Sequence, residues 1–107
     1  MIAIERREGA TVATLSCARF DAHTCVSARE KLDEAARDQA VLVLDMAQVG
    51  FLDSSGLGSL VATLKRMPAG GQLRLSRVCD AVGRTLRLTK LDRIFRSYPS
   101  IDDAIRG

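Results

Sequence analysis

VLVLDMAQVGFLDSSGLGSLVATLKRM, residues 41–67, runs a buried strand, a tight serine loop and a helix in unbroken succession. Residues 40–44 are continuously apolar and rich in valine and leucine, the pattern of a strand covered on both faces within a parallel sheet. Asp45 ends it. Val49, Phe51 and Leu52 turn the chain back toward the core, and the sequence then becomes small and polar at Asp53, Ser54, Ser55 and Gly56. Leu57, Leu60, Val61 and Leu64 follow at i, i+3, i+4 and i+7, one stripe of a helix, with Ser59, Thr63 and Arg66 expected to face elsewhere.

Both ends of that helix carry signals. Asp53 or Ser54 is placed to accept a hydrogen bond from the first-turn N–H groups, and Lys65 and Arg66 suit the negative end before Pro68 and Gly70-Gly71. Gly56 and Gly58 each cost a helix about 1 kcal/mol relative to alanine. Their presence in the first turn predicts that something approaches the backbone closely there, either the neighbouring strand or a partner protein. A helix N-terminus bearing two hydroxyls beside free N–H groups is a seat for an anion, including one attached covalently to serine. The same residues also serve as an ordinary helix cap.

Working outward, Ile2 and Ile4 alternate with other residues, and a second alternating segment covers residues 11–17, so the N-terminus reads as a hairpin turning through residues 5–9. Ala13, Leu15 and Cys17 would share one face. A helix begins between Asp21 and Ser27, with Asp21 or Thr24 as cap and Cys25, Ala28, Leu32, Ala35 and Ala36 inward. Beyond the central stretch, residues 72–78 read as a strand with Leu73 and Leu75 buried, and Asp80 is placed to cap a helix to about Leu88 with Val82 and Leu86 inward. Leu91, Ile94 and Phe95 are expected to return to the core through a short strand over residues 95–98. Ser100 and Asp103 have capping-box spacing before a terminal helix. The order β-β-α-β-α-β-α-β-α predicts an α/β fold, a mixed sheet with parallel pairs packed by helices.

The buried strand, the connection ending Phe51-Leu52, the run Asp53-Ser54-Ser55-Gly56-Leu57-Gly58 and the aliphatic helix resemble the STAS domain family, with Phe20-Asp21 a weaker second match. Within it, the chain is most similar to the small single-domain anti-sigma factor antagonists of bacteria, which implies one STAS domain over residues 1–107. The resemblance implies a partner-switching role in transcription regulation. Ser54, the first serine after the aspartate, would be phosphorylated by an anti-sigma factor that is also a serine kinase, and a serine phosphatase would restore the free form. Partner binding would fall to Asp21, His23, Thr24, Asp53, Ser54, Ser55, Gly56, Leu57, Gly58 and Ser59, with Ser55 as alternative acceptor. No cofactor is implied. Two family positions commonly held by glycine are Ala18 and Lys90 here.

Composition bounds the alternatives. The 107 residues suffice for one modest core, and 47% hydrophobic with 27% charged residues is ordinary for a globular protein. With no tryptophan, one tyrosine and three phenylalanines there is no stacking platform for bases, so no direct nucleic-acid partner is expected. No apolar run reaches the roughly 20 residues of a membrane span, and no secretion signal opens the chain, so a cytoplasmic location is expected. Cys17, Cys25 and Cys79 are widely spaced with His23 as the one histidine, against a zinc site. The net charge of +3 is asymmetric: residues 1–53 hold 6 basic and 9 acidic side chains, residues 54–107 hold 10 and 4. A small serine-dependent enzyme would need an activating base and an oxyanion hole, yet G-x-S-x-G and the P-loop motif are both absent. A scaffold or lipid-transport accessory of the same fold, without a phosphorylation switch, is the nearer rival.

Overall fold

Why residues 41–44 are apolar at every position is plain in the computed structural model, which describes residues 1–107. The strand β4 (Val41–Asp45) sits at the centre of a five-stranded sheet, with Leu42 and Leu44 in the main core and Val43 in a second cluster on the opposite face. Its neighbours are β2 (Ala10–Leu15) and β6 (Gln72–Ser76), both parallel to it. The edges are β1 (Ile2–Arg7), antiparallel to β2, and β7 (Ser97–Tyr98), parallel to β6, giving the order β1-β2-β4-β6-β7.

Three helices, α1 (Ala22–Ala36), α2 (Ser54–Lys65) and α3 (Asp80–Leu88), send Ala28, Leu32, Leu60, Val82 and Leu86 into the main core. On the other face α4 (Ile101–Arg106) packs Ala104 against Ala10, Val12 and Val43. Ser100 caps α4 by accepting from the Asp103 N–H at 3.0 Å, and Arg74 Nη1 donates to the carbonyls of Ala104 and Ile105 at its other end. The α/β class and the mixed sheet are as expected. No helix is long and apolar enough to cross a membrane.

Two short elements were not foreseen: β3 (Arg19–Phe20) and β5 (Phe51–Leu52) pair in parallel as a separate two-stranded sheet. Several local expectations need correction. Strand β1 runs on through Glu5, Arg6 and Arg7, because an edge strand facing water accepts charges, so the turn shrinks to Glu8 and Gly9, the latter at φ +87°. Cys79, not Asp80, is the N-cap of α3, and it makes no side-chain capping bond. Asp80 instead occupies the first helical position. Strand β6 ends at Ser76; Arg77, at φ +56°, still donates its N–H to the Tyr98 carbonyl at 2.9 Å and forks its guanidinium onto buried Asp45 at 2.9 and 2.6 Å. Ile94 is exposed, since the 3-10 turn Leu91–Arg93 swings it outward while Phe95 takes the core position.

Candidate functional site

The unforeseen two-stranded sheet is what assembles the site. Phe20 and Leu52 are register partners, both buried, and each is followed at once by an aspartate that caps a helix. The N-termini of α1 and α2 therefore emerge side by side at one end of the molecule. Asp21 closes a capping box: its carboxylate accepts from the N–H groups of His23 and Thr24 at 3.1 and 3.2 Å, while Thr24 Oγ1 accepts from the Asp21 N–H at 2.8 Å. The Thr24 backbone N–H, aided by the Thr24 hydroxyl, the His23 N–H and Arg19, holds the Asp21 carboxyl below the usual aspartate range. At α2, Asp53 Oδ1 accepts from the Gly56 N–H at 2.9 Å, which settles the cap as Asp53 rather than Ser54.

Ser54 is then the first residue of α2. It is exposed, as is Ser55, and the first-turn N–H groups other than that of Gly56 have no partner within the helix. The two glycines separate. A Cβ on Gly56 would lie 2.2 Å from the Phe20 carbonyl oxygen and 2.7 Å from Leu52 Cδ1, so the neighbouring strand is what demands glycine there. Gly58 is exposed with nothing within 4 Å of a Cβ, leaving a bare stretch of α2 open to an approaching surface. Leu57 and Ser59 are half-buried beside it.

Between α1 and α2 lies an open groove of about 270 Å³, bordered by Cys25, Val26 and Arg29 on one side and Ser55, Gly58 and Ser59 on the other. The Cys25 thiol donates from Sγ to the Ser55 carbonyl at 3.5 Å, and burial pushes its pKa up. His23 is exposed and only its backbone N–H is engaged. Of the ten predicted contact residues, Asp21 and Thr24 on α1 and Asp53, Ser54, Ser55, Gly58 and Ser59 on α2 are gathered at this end, while Gly56 is buried as a spacer.

Three neighbours escaped the sequence reading. Arg19 stacks over the Phe51 ring at 3.9 Å and reaches Asp21 at 3.6 Å, and Phe51, expected in the core, is 39% exposed. Val26, at 78% exposure, borders the groove. A two-residue parallel pairing leaves no periodicity in hydropathy, so the only sequence trace was the paired apolar-aspartate step at Phe20-Asp21 and Leu52-Asp53.

Comparison with known proteins bears on the family and the fold. The family model described as the STAS domain matches residues 1–104. An anti-sigma F factor antagonist from Paenibacillus polymyxa is 30% identical over 99% of this chain and 90% of its own length. The crystal structure of an anti-sigma factor antagonist from Mycobacterium paratuberculosis is 29% identical, with a TM-score of 0.88 over 99% of this chain and 91% of that one. The Bacillus cell fate determinant SpoIIAA in its phosphorylated form shares the fold, with a TM-score of 0.71 over 99% of this chain and 97% of that one, at 18% identity. Matched across nearly its whole length by the family model, with β3 and β5 setting its serine loop at the head of α2, the chain belongs to the STAS domain family.

Proposed function

We propose that the protein is an anti-sigma factor antagonist working by partner switching: unmodified, it binds an anti-sigma factor that is also a serine kinase, and phosphorylation of Ser54 releases it. The observation that carries this is Ser54 itself, exposed at the first position of α2 beside the N-terminus of α1. A phosphate adds roughly −1.5 to −2 charges at pH 7, and at this position it meets free N–H donors and the positive end of the helix dipole. The fold therefore tolerates it. A partner packed against Gly58 and Ser59 does not, because a doubly charged group in a close interface brings bulk and a desolvation cost. Adjacent Asp53 adds to the negative charge.

In this account a serine phosphatase returns the protein to its binding form, and Asp21, His23 and Thr24 form the second half of the contact surface. In this reading the chain acts as a regulatory binding protein, the role carried by the names of its anti-sigma factor antagonist relatives. Incubation with ATP and a kinase of the anti-sigma class, followed by phosphopeptide mapping, tests the assignment. Phosphate on Ser54 is expected; phosphate on Ser55, or none on either serine, overturns it, and the latter result would favour a scaffold without a switch.

A further inference from the structure

From the middle of α3 to the approach to β7, residues 84–96 carry five cations, Arg84, Arg87, Lys90, Arg93 and Arg96, against one carboxylate, Asp92. All five are exposed, and none lies within ion-pair distance of a carboxylate, although eight such pairs occur elsewhere in the molecule. Arg84, Arg87 and Leu88 lie on the outer stripe of α3, opposite Val82 and Leu86 in the core. Leu88 and Ile94 stand out from this surface at 78% and 53% exposure.

The orientation follows from the fold. The start of α3 lies at the Ser54 end, where Cys79 Sγ reaches the Val49 carbonyl at 3.5 Å, and the helix runs away from it. Beyond, Ile94 and Arg96 border a cleft of about 550 Å³ together with Leu64 near the end of α2, Leu73, Arg74 and Tyr98.

We propose that this surface is a second docking site, independent of Ser54, for an acidic segment of a partner protein carrying isolated aliphatic side chains. Carboxylates meet the arginine forks, which suit them better than lysine would, and an aliphatic side chain enters the cleft beside Ile94. Three other occupants fit less well. A nucleic-acid backbone would use the cations and leave Leu88 and Ile94 idle. A bilayer would need an apolar helical face, and that of α3 is already buried in the core. A second copy of the chain offers no acidic segment, since its unpaired carboxylates, Glu8, Glu30, Glu34, Asp80 and Asp92, are dispersed over the hairpin turn, α1, the start of α3 and the turn after it.

The test is fluorescence anisotropy of the full chain with a labelled glutamate-rich peptide carrying isolated leucines. Saturable, salt-sensitive binding is expected. Arg84→Glu, Arg87→Glu and Arg93→Glu together should weaken it more than tenfold, because attraction at three positions is replaced by repulsion. Should that variant fold poorly in a thermal melt, the corresponding glutamine substitutions should still weaken binding several-fold. Leu88→Ser with Ile94→Ser should weaken it with the salt dependence unchanged, and Ser54→Asp should leave it as it was. Absence of saturable binding, equal binding by the glutamine variant, or tighter binding to duplex DNA or to phosphatidylglycerol vesicles would overturn the proposal. Because Ser54→Asp is included, failure here and failure of the switch at Ser54 are read separately.

Discussion

Gly56 and Gly58 look alike in the sequence and differ in the structure. At Gly56 the Phe20 carbonyl oxygen lies 2.2 Å from where a Cβ would stand, and backbone cannot move aside as a side chain can. Gly56→Ala should therefore destabilise the fold by about 1–3 kcal/mol or more, whereas Gly58→Ala, in open space, should stabilise α2 by roughly 0.5–1 kcal/mol. Denaturant titration of the two variants checks both signs, and equal effects would refute the close approach. A second residue-level cost sits at Lys90, which adopts φ +62° at the place where the family commonly has glycine. Lys90→Gly should raise stability by about 1 kcal/mol, because the left-handed region penalises a side chain. A melt in which Lys90→Gly is less stable than the native chain would contradict that.

At the scale of elements, the leucine stripe of α2 was legible and its phase was not. Leu60 is fully buried, but Leu57, Val61 and Leu64 are half-buried, and the other positions closed off from water are Gly56 and Thr63. Helix α1 packs along that side of α2, so the buried arc is rotated toward Gly56, Leu60 and Thr63. The Thr63 hydroxyl donates to the Ser59 carbonyl at 2.8 Å, satisfying its polar atom without a partner outside the helix. Leu60→Ala should cost about 2–5 kcal/mol, Thr63→Ala about 1 kcal/mol for the lost methyl, and Thr63→Val close to nothing. A neutral Thr63→Ala would restore the phase read from the leucines.

Helix α1 gives a prediction in pH. Folding depresses the Asp21 carboxyl through its bonds to Thr24 and His23, so its contribution to stability is present above the ordinary aspartate pKa of about 4. That contribution is lost as pH falls through the depressed value. Asp21→Ala should therefore lower the melting temperature at neutral pH, and the gap to the native protein should narrow on acidification. A gap independent of pH would show that the charge of this cap is not what matters.

Over the whole molecule, what the sequence disclosed was whatever depends on burial at a regular period. The apolar run of β4 and the inward residues of α1 and α3 belong to that class, and the cap of α4 was legible from its local serine-aspartate spacing. The pairing of β3 with β5 rests on a few backbone bonds between residues far apart in the chain, and the exposure of Phe51 and Ile94 depends on how short segments swing, so neither left a periodic trace. The serine run itself was readable, and its grouping with Asp21, His23 and Thr24 came only through the family resemblance, because the two-stranded sheet that sets α1 beside it left no periodic trace. The charge asymmetry was readable as a count and became a surface only when α3 and the turn after it left all five cations of residues 84–96 exposed.

The switch at Ser54 joins these scales, since it asks the residue to carry a phosphate, α2 to accept it and the molecule to lose its partner. Calorimetric titration of an anti-sigma kinase with the unmodified and the Ser54-phosphorylated protein, with thermal melts of both, measures all three together. The account predicts that phosphorylation weakens binding by about a hundredfold, roughly 2.8 kcal/mol, while the melting temperature stays within a few degrees. Equal affinity of the two forms, or release accompanied by loss of the folded state, would contradict it.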